Sequence, residues 1–244
     1  MASTPPSKTH EVSSVLRDEI LSGRFRPGER LPSERDLSSR FETSRGTVRE
    51  ALKALEQLGI TTIQPGGARV VPIEECTLNV LGPLLDLGDY PDPNLIDQSL
   101  EAGSVLVGFA VRKALESNPE ATITAAREIT AEMLKAETED IQAVRGTPRL
   151  IRLFAQAGNH LVLRLIMNGL RGQVMERIHA TGFPPRVDAL ELRAITENLD
   201  RALEARDEAA IADEMKNHLD LLRQTIAEVY TTLHNGNSRE IARS

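Results

Sequence analysis

The sequence is poor in aromatic residues and cysteine. It has no tryptophan, and aromatic residues make up 3% of its 244 residues, so the core must be built mainly from Leu, Ile, Val and Ala, a composition that suits helices. Cys76 is the single cysteine, which excludes an internal disulfide and fits a reducing compartment. The longest apolar run, residues 103–111, is too short to cross a bilayer, and residues 1–10 lack the apolar stretch of a secretory signal. We therefore expect a soluble, cytoplasmic protein.

The net charge of −7 argues at first sight against a nucleic-acid partner. The charge is unevenly distributed, however: residues 1–72 carry 11 Lys and Arg against 9 Asp and Glu, and the remainder carries 18 against 27. Seven arginines fall between Arg24 and Arg49. A positive surface that faces DNA is therefore compatible with the acidic total.

Three helices are predicted before residue 60, from the spacing of apolar residues and from Ser and Gly at the helix ends. Ser33 and Ser44 are N-cap residues for the second and third helices, and Gly59 stops the third. A short turn, residues 41–43, joins the second and third helices, which is the signature of a helix-turn-helix. The predicted helices cover residues 9–22, 34–40 and 45–58.

A β-hairpin is predicted directly after the third helix. Residues 60–64 are rich in β-branched side chains, the Pro-Gly-Gly sequence at 65–67 predicts a turn, and residues 68–71 form the returning strand. In this position a hairpin is the wing of a winged helix-turn-helix. We therefore assign residues 1–9 to a disordered tail and residues 10–72 to a DNA-binding domain.

The rest of the chain is predicted to be helical almost throughout. Residues 73–77 form a linker, residues 78–235 an antiparallel all-α bundle and residues 236–244 a C-terminal tail. The fold class is therefore mainly α, with an N-terminal winged helix-turn-helix and a C-terminal helical bundle. Breaks at Pro, Gly and Asn divide the bundle into helices over residues 78–87, 94–116, 120–138, 148–157, 160–180, 186–204 and 207–234.

The N-terminal end of the third helix carries residue types that read bases in a major groove. Arg45 can form a bidentate contact with guanine, and Gly46 leaves room for the backbone to approach DNA. Other interpretations are open for single residues: Ser44 caps the helix with or without DNA, and Arg49 could pair with a carboxylate on a solvated face. The candidate DNA-binding residues are Arg35, Ser44, Arg45, Gly46, Thr47, Arg49, Gln64, Gly66 and Gly67.

The same domain resembles the N-terminal domain of GntR-family regulators. The resemblance covers residues 10–72 and is carried by the runs 25–37, 44–52, 58–60 and 64–67. It implies a transcriptional regulator, an activator or a repressor, in which Arg35, Arg45, Thr47, Arg49 and Gly66 contact double-stranded DNA. We expect a homodimer that places two recognition helices about one DNA turn apart on a palindromic operator.

The second half resembles the C-terminal domains of the FadR subfamily, which bind an effector and form the dimer. Many members hold a metal ion with one Asp and three His. Aligned on residues 157–159 and on the region of His218, those four positions fall on Gly146, Leu150, Leu192 and His218. One imidazole does not hold a metal ion, so no metal and no cofactor are expected.

A closer resemblance, to the fatty-acid-responsive members of that subfamily, implies a long-chain acyl-CoA as the effector. It is carried by residues 78–81, 94–97 and 165–172. Leucines in place of metal ligands would make an apolar cavity for an acyl chain. The candidate effector-binding residues are Leu106, Asn168, Arg171 and His218, of which His218 also fits a hydrogen-bonded core histidine.

Two other regulators fit the same sequence. One senses a small carboxylate or another metabolite, and the other is a repressor that needs no ligand. An enzyme with an accessory DNA-binding domain is disfavoured, because the bundle is too short for an aminotransferase-like domain and the sequence has no nucleophile–base pair or phosphate loop. We therefore predict that the protein is not an enzyme.

Overall fold

The chain folds into two compact units, Met1–Asp92 and Pro93–Ser244. The structure, a computed structural model, describes residues 7–88, 90–136, 141–180 and 187–241. Within these ranges the side chains of residues 141–145, 176, 179–180 and 228–241 are outside the description. The mainly α architecture predicted from the sequence is confirmed.

The first unit contains three helices and a two-stranded antiparallel sheet. Serines begin the helices: the side chains of Ser7, Ser33 and Ser44 each accept a hydrogen bond from a backbone N–H three residues later. Gly59 ends the third helix with φ +88°, a conformation that glycine adopts without strain. The elements are α1 (Lys8–Leu21), α2 (Glu34–Arg40), α3 (Arg45–Leu58), β1 (Thr61–Gln64) and β2 (Gly67–Val70).

The apolar faces of these helices meet in one core. Val12 and Leu16 of α1, Leu37 of α2, and Val48 and Leu55 of α3 are buried there. Full burial of each such side chain contributes about 1.5–3 kcal/mol. The core therefore fixes the angle between α2 and α3, and with it the surface that α3 presents.

The segment after the wing belongs to the first unit. It contains two 3-10 turns, Ile73–Glu75 and Leu78–Val80, and a short helix α4 (Leu81–Leu85). The sequence predicted a linker and the first helix of the bundle here, but Val80 is buried in the core of the first unit and Leu84 packs against it. The sequence does not reveal which core an apolar segment joins, because its pattern is the same for either.

The second unit is an antiparallel bundle of long helices. In the described ranges, α5 packs against α7, α8 and α10, while α9 packs against α6 and α10. Buried aliphatic residues and Phe154 form its core. The helices are α5 (Pro93–Ser117), α6 (Pro119–Lys135), α7 (Ile141–Ala157), α8 (Leu161–Ala180), α9 (Ala189–Ala205) and α10 (Glu208–Ile241).

Several predicted helix ends in the bundle were wrong. Helix α7 begins at Ile141, and Pro148, expected to mark its start, lies inside it. Packing against α6 outweighs the one backbone hydrogen bond that a proline removes. Helix α10 continues to Ile241 across most of the predicted tail. The break expected at residues 182–185 lies outside the described residues, as do residues 1–6 and 242–244 of the predicted tails.

Among the described helices, none combines the length and apolar character that a membrane crossing requires.

Candidate nucleic-acid interface

The N-terminal turn of α3 is built by a capping interaction. Ser44 Oγ accepts a hydrogen bond from the Thr47 backbone N–H at 3.1 Å and lies 3.0 Å from Thr47 Oγ1. The two hydroxyls therefore engage each other, while the side chain of Ser44 remains exposed. The positive end of the helix dipole lies at this turn, which favours the approach of an anion such as a phosphate.

Arg45 is the exposed cation at this turn. Among the residues that the structure describes, none forms a hydrogen bond or ion pair with its guanidinium; its charge only contributes to lowering the pKa of the Glu34 carboxyl. An arginine without an internal partner keeps all five N–H donors available. This is the state that a bidentate contact with a guanine requires.

Arg49, in contrast, is engaged within the protein. Its Nε and Nη2 donate to the two carboxylate oxygens of Glu34 at 3.0 and 2.8 Å, which joins α3 to α2. The hydrogen bonds from Arg49 hold the pKa of the Glu34 carboxyl below its ordinary value. To contact DNA, the Arg49 guanidinium would have to share or break these hydrogen bonds with Glu34. Its contact with DNA stays a prediction.

Arg35 projects into solvent from α2. Its side chain is 76% exposed, and its Nε lies 3.5 Å from the carboxylate of Asp36. Asp36 in turn accepts a hydrogen bond from the Ser33 hydroxyl at 2.6 Å. A surface ion pair of this kind is weak, so Arg35 can exchange Asp36 for a phosphate at small cost.

Gly46 has no internal reason to be glycine. Its backbone has ordinary helical geometry, and an added Cβ would make only a normal contact of 3.6 Å with Ser44 Oγ. No contact within the described residues therefore accounts for the absence of a side chain at Gly46. The close approach of the helix backbone to DNA at this position stays a prediction.

The wing is a tight hairpin. Gln64 pairs with Gly67 at the end of the ladder, and the turn places Gly66 at φ +110° and Gly67 at φ +126°. Both backbone conformations strain any other residue. An added Cβ at Gly66 would meet no atom within 4 Å, so the tip is open to solvent.

Arg30 is a cation beside the wing that was not among the predicted site residues. A Cβ added at Gly67 would lie 2.9 Å from Nε of Arg30, so the guanidinium of Arg30 lies across the hairpin turn. No local sequence signal predicts this contact, because Arg30 lies 37 residues before Gly67 and only the tertiary pairing of the two segments joins them.

The four candidate effector residues differ in their surroundings. Leu106 packs partly buried against the bundle core, while Asn168 and Arg171 are exposed on α8. His218 is buried on α10, with an exposure of 2%. Within the described residues, no hydrogen bond links any two of the four, so their shared role stays a prediction.

His218 is a hydrogen-bonded core histidine. Its Nδ1 lies 2.8 Å from the Glu214 carbonyl oxygen, which can only accept, so Nδ1 carries the proton. Its Nε2 then can only accept and lies 3.3 Å from Thr196 Oγ1, whose single proton is shared between this nitrogen and the Leu192 carbonyl oxygen at 2.7 Å. Burial lowers the pKa of His218 below its ordinary value, so the imidazole is neutral at pH 7.

Burial of His218 predicts an acid-sensitive bundle. Below the ordinary pKa of 6.5 the unfolded chain binds a proton that the folded chain excludes. The free energy of unfolding therefore falls as the pH drops from 6.5 towards the folded pKa, by up to about 1.4 kcal/mol per pH unit. Denaturant titrations of wild type and His218→Leu between about pH 7.5 and 5.5 measure this slope, which the variant should lose. Equal slopes in the two proteins would contradict the prediction.

The positions that correspond to metal ligands are filled by the core. Leu150 and Leu192 are buried apolar residues, and a Cβ added at Gly146 would overlap the side chain of Met133. Among the described residues there is no group of three or more His, Cys, Asp or Glu that could hold a metal ion. The donor set therefore does not fit the metal that many FadR-subfamily regulators hold.

The first unit has the fold of DNA-binding winged helix-turn-helix proteins. Residues 8–71 match the model of bacterial regulatory proteins of the gntR family, and residues 98–221 match the FCD domain. The chain therefore belongs to the GntR family of bacterial regulatory proteins, in the group whose second domain is an FCD domain.

Known relatives support the same assignment. The fatty acid metabolism regulator protein of Yersinia enterocolitica is 36% identical over 166 residues, and that of Serratia proteamaculans is 32% identical over 163 residues. Each match spans 66% of this chain and 66% of the relative. The solved structure of Lar, which controls expression of the agr system in Listeria monocytogenes, has a TM-score of 0.54 at 16% identity, with 93% of this chain and 99% of that chain covered. The likeness to Lar concerns the fold alone.

Proposed function

We propose that this protein is a sequence-specific transcriptional regulator that binds a palindromic operator as a homodimer. The observation that carries the proposal is the exposed Arg45, which has no internal partner among the described residues and lies at the N-terminus of α3. The open Gly66 tip supports it, because a wing without a side chain can enter a narrow groove. Two such domains related by a twofold axis would read half-sites about one helical turn apart.

An apolar face on α8 supports the pairing of two chains. Leu161, Val162, Leu165 and Ile166 lie on one side of this helix, and their exposures range from 43% to 60%. The charged residues Arg164 and Arg171 lie on the opposite side of the helix. Exposed, contiguous and uncharged apolar side chains are typical of an interface. A second copy of this chain is the partner whose face has matching chemistry.

We further propose that a long-chain acyl-CoA is the effector. The curated relatives named fatty acid metabolism regulator support this class of ligand, and so does the aliphatic core of the second unit. Met133 is the side chain that occupies the space beside Gly146, and a flexible thioether can move aside for an apolar chain. The ligand would act only through its different affinity for the DNA-binding and the non-binding state.

Arg223 on α10 is paired with two carboxylates. Arg223 donates to both oxygens of Asp97 at 2.8 and 2.9 Å and to Asp220 at 3.2 Å. These hydrogen bonds raise the pKa of Arg223 and keep the pKa of Asp97 below its ordinary value. The guanidinium thus offsets part of the negative charge that would repel the phosphates of CoA.

The experiment that tests the function uses the full chain and a random pool of duplex DNA. We expect selection to enrich one palindrome, and palmitoyl-CoA to weaken binding to it in a gel-shift titration. If a small carboxylate and not palmitoyl-CoA releases the protein from the DNA, the metabolite sensor is favoured. If neither class of ligand releases it, the ligand-independent repressor is favoured. Failure to enrich any sequence would contradict the DNA-binding function itself. Native mass spectrometry of the purified protein reports the dimer mass and any bound acyl-CoA.

A further inference from the structure

The wing lacks a cation of its own at its tip. Residues 61–68 of the hairpin contain no charged side chain, and Arg69 is the first charged residue on the returning strand. Arg69 donates from Nη1 to the Gly28 carbonyl oxygen at 3.0 Å, which holds it at the base of the wing. A wing that follows a groove is flanked by two phosphate backbones, and positive charge at this place supplies affinity.

A neighbouring segment runs along the outer edge of the wing. Leu31 N–H donates to the Ala68 carbonyl at 2.9 Å, and Val70 N–H donates to the Glu29 carbonyl at 2.9 Å. These bonds place residues 28–31 beside β2 in the manner of a third strand, with Arg30 opposite Arg69. The backbone of Arg30 is therefore held against the hairpin and does not depend on a flexible loop.

The side chain of Arg30 occupies the space that Gly67 leaves open. An added Cβ at Gly67 would lie 2.9 Å from Arg30 Nε and 3.3 Å from Nη2. The residue is exposed, and within the described part of the chain its guanidinium has no hydrogen bond or ion pair. Other arginines of this unit, such as Arg24 with Glu19 and Arg49 with Glu34, are paired with carboxylates.

We propose that Arg30 is the phosphate-binding cation of the wing, and that Gly67, which the turn already requires to be glycine, leaves the space in which this guanidinium lies across the hairpin turn. The inference rests on the proposed DNA-binding function and adds a residue outside the helix-turn-helix and the wing strands. Arg30 reads no base. It anchors the wing to the DNA backbone beside the groove that Gly66 enters.

Salt dependence of operator binding tests the inference. Arg30→Ala should weaken binding about equally for all sequences. It should also make the negative slope of log Kobs, the observed association constant, against log salt concentration shallower by about 1 for each chain that binds. Arg30→Lys should keep the slope, because it keeps the charge. Arg24→Ala is the matched control: it removes an exposed arginine that is paired with Glu19, and it should leave the slope unchanged.

Gly67→Ala tests the geometry. The new Cβ displaces the Arg30 guanidinium from the hairpin turn, and the positive φ of Gly67 adds backbone strain in any background. Because only the strain acts in the Arg30→Ala background, Gly67→Ala should weaken operator binding more in the wild-type background than in the Arg30→Ala background. An unchanged slope in Arg30→Ala, or an equal loss in Arg24→Ala, would overturn the inference. If Arg45→Ala still abolishes sequence selection in that case, the proposed function stands. If the wild type selects no sequence, the proposed function itself has failed.

Discussion

Replacement of Arg45 by alanine should abolish the sequence preference of this protein and leave its fold intact. Arg45 is exposed at the first position of α3, and its side chain makes no hydrogen bond or ion pair within the described protein, so its removal costs the folded state little. A bidentate contact with guanine is worth about 1–3 kcal/mol of discrimination. In a dimer on a palindrome the loss occurs twice, which makes this the largest expected effect on DNA binding.

Two variants separate base reading from general charge. Arg45→Lys keeps the positive charge but not the planar fork, so it should also lose selectivity while it retains salt-dependent, non-specific binding. Lys53→Ala removes an exposed cation of the same helix that is paired with Glu50, and it should keep the wild-type preference. Competition binding against the selected operator and a scrambled duplex measures both. If Arg45→Ala selects the same operator as well as the wild type, Arg45 does not read a base.

Replacement of Leu165 by glutamate should convert the proposed homodimer into a monomer. Leu165 is 60% exposed in the middle of the uncharged face of α8. A twofold interface through this face would bury two copies of the new carboxylate without a partner, at a cost of several kcal/mol for each. Since 1.4 kcal/mol is a tenfold change, we expect the dimer dissociation constant to rise by at least about a hundredfold.

Leu190→Glu is the matched control for this experiment. Leu190 is also exposed, at 72%, but it lies on α9 beside Asp188 and Glu191, where a carboxylate adds to a surface that is already charged. Sedimentation equilibrium of both variants should show a monomer for Leu165→Glu and a dimer for Leu190→Glu. Circular dichroism should show the same helix content in both. A Leu165→Glu protein that stays dimeric would place the interface elsewhere.

The winged helix-turn-helix could be predicted closely because its signals are local. Ser33 and Ser44 cap their helices, and Gly59 stops the third in the left-handed conformation, as the sequence indicates. Local signals of this kind act within one helical turn, so they need no knowledge of distant contacts. The predicted bounds of α2 and α3 agree with the structure.

The bundle was harder to predict because its helix ends depend on packing. A proline usually marks the start of a helix, yet Pro148 lies within α7. Gly146 looks like a second breaker, but it is the small residue that makes room for Met133 of α6. In both cases contacts between helices outweigh the local preference of the residue, which is a weak determinant.

The site residues divide in the same way. Arg45 and Gly46 could be proposed from the sequence, because the start of a recognition helix is a local feature and its outward face follows from the apolar spacing. The partners of charged residues could not be proposed. Arg49 donates to Glu34 on a different helix, and the Arg30 side chain lies in the space beside Gly67 on β2. Such pairs are set by distances between elements that the sequence does not contain.

The sequence by itself determined the family, the mainly α fold and the bounds of the helix proposed to read DNA, since these follow from periodicity, capping and local motifs. Only the tertiary structure decided that α4 packs with the DNA-binding unit, that His218 is a neutral core residue, and that Arg49 is paired while Arg45 is exposed without a partner in the described chain. The physical reason is that burial and ion pairing depend on which segments lie next to each other in space. That arrangement is a property of the packed core and not of any short stretch of residues.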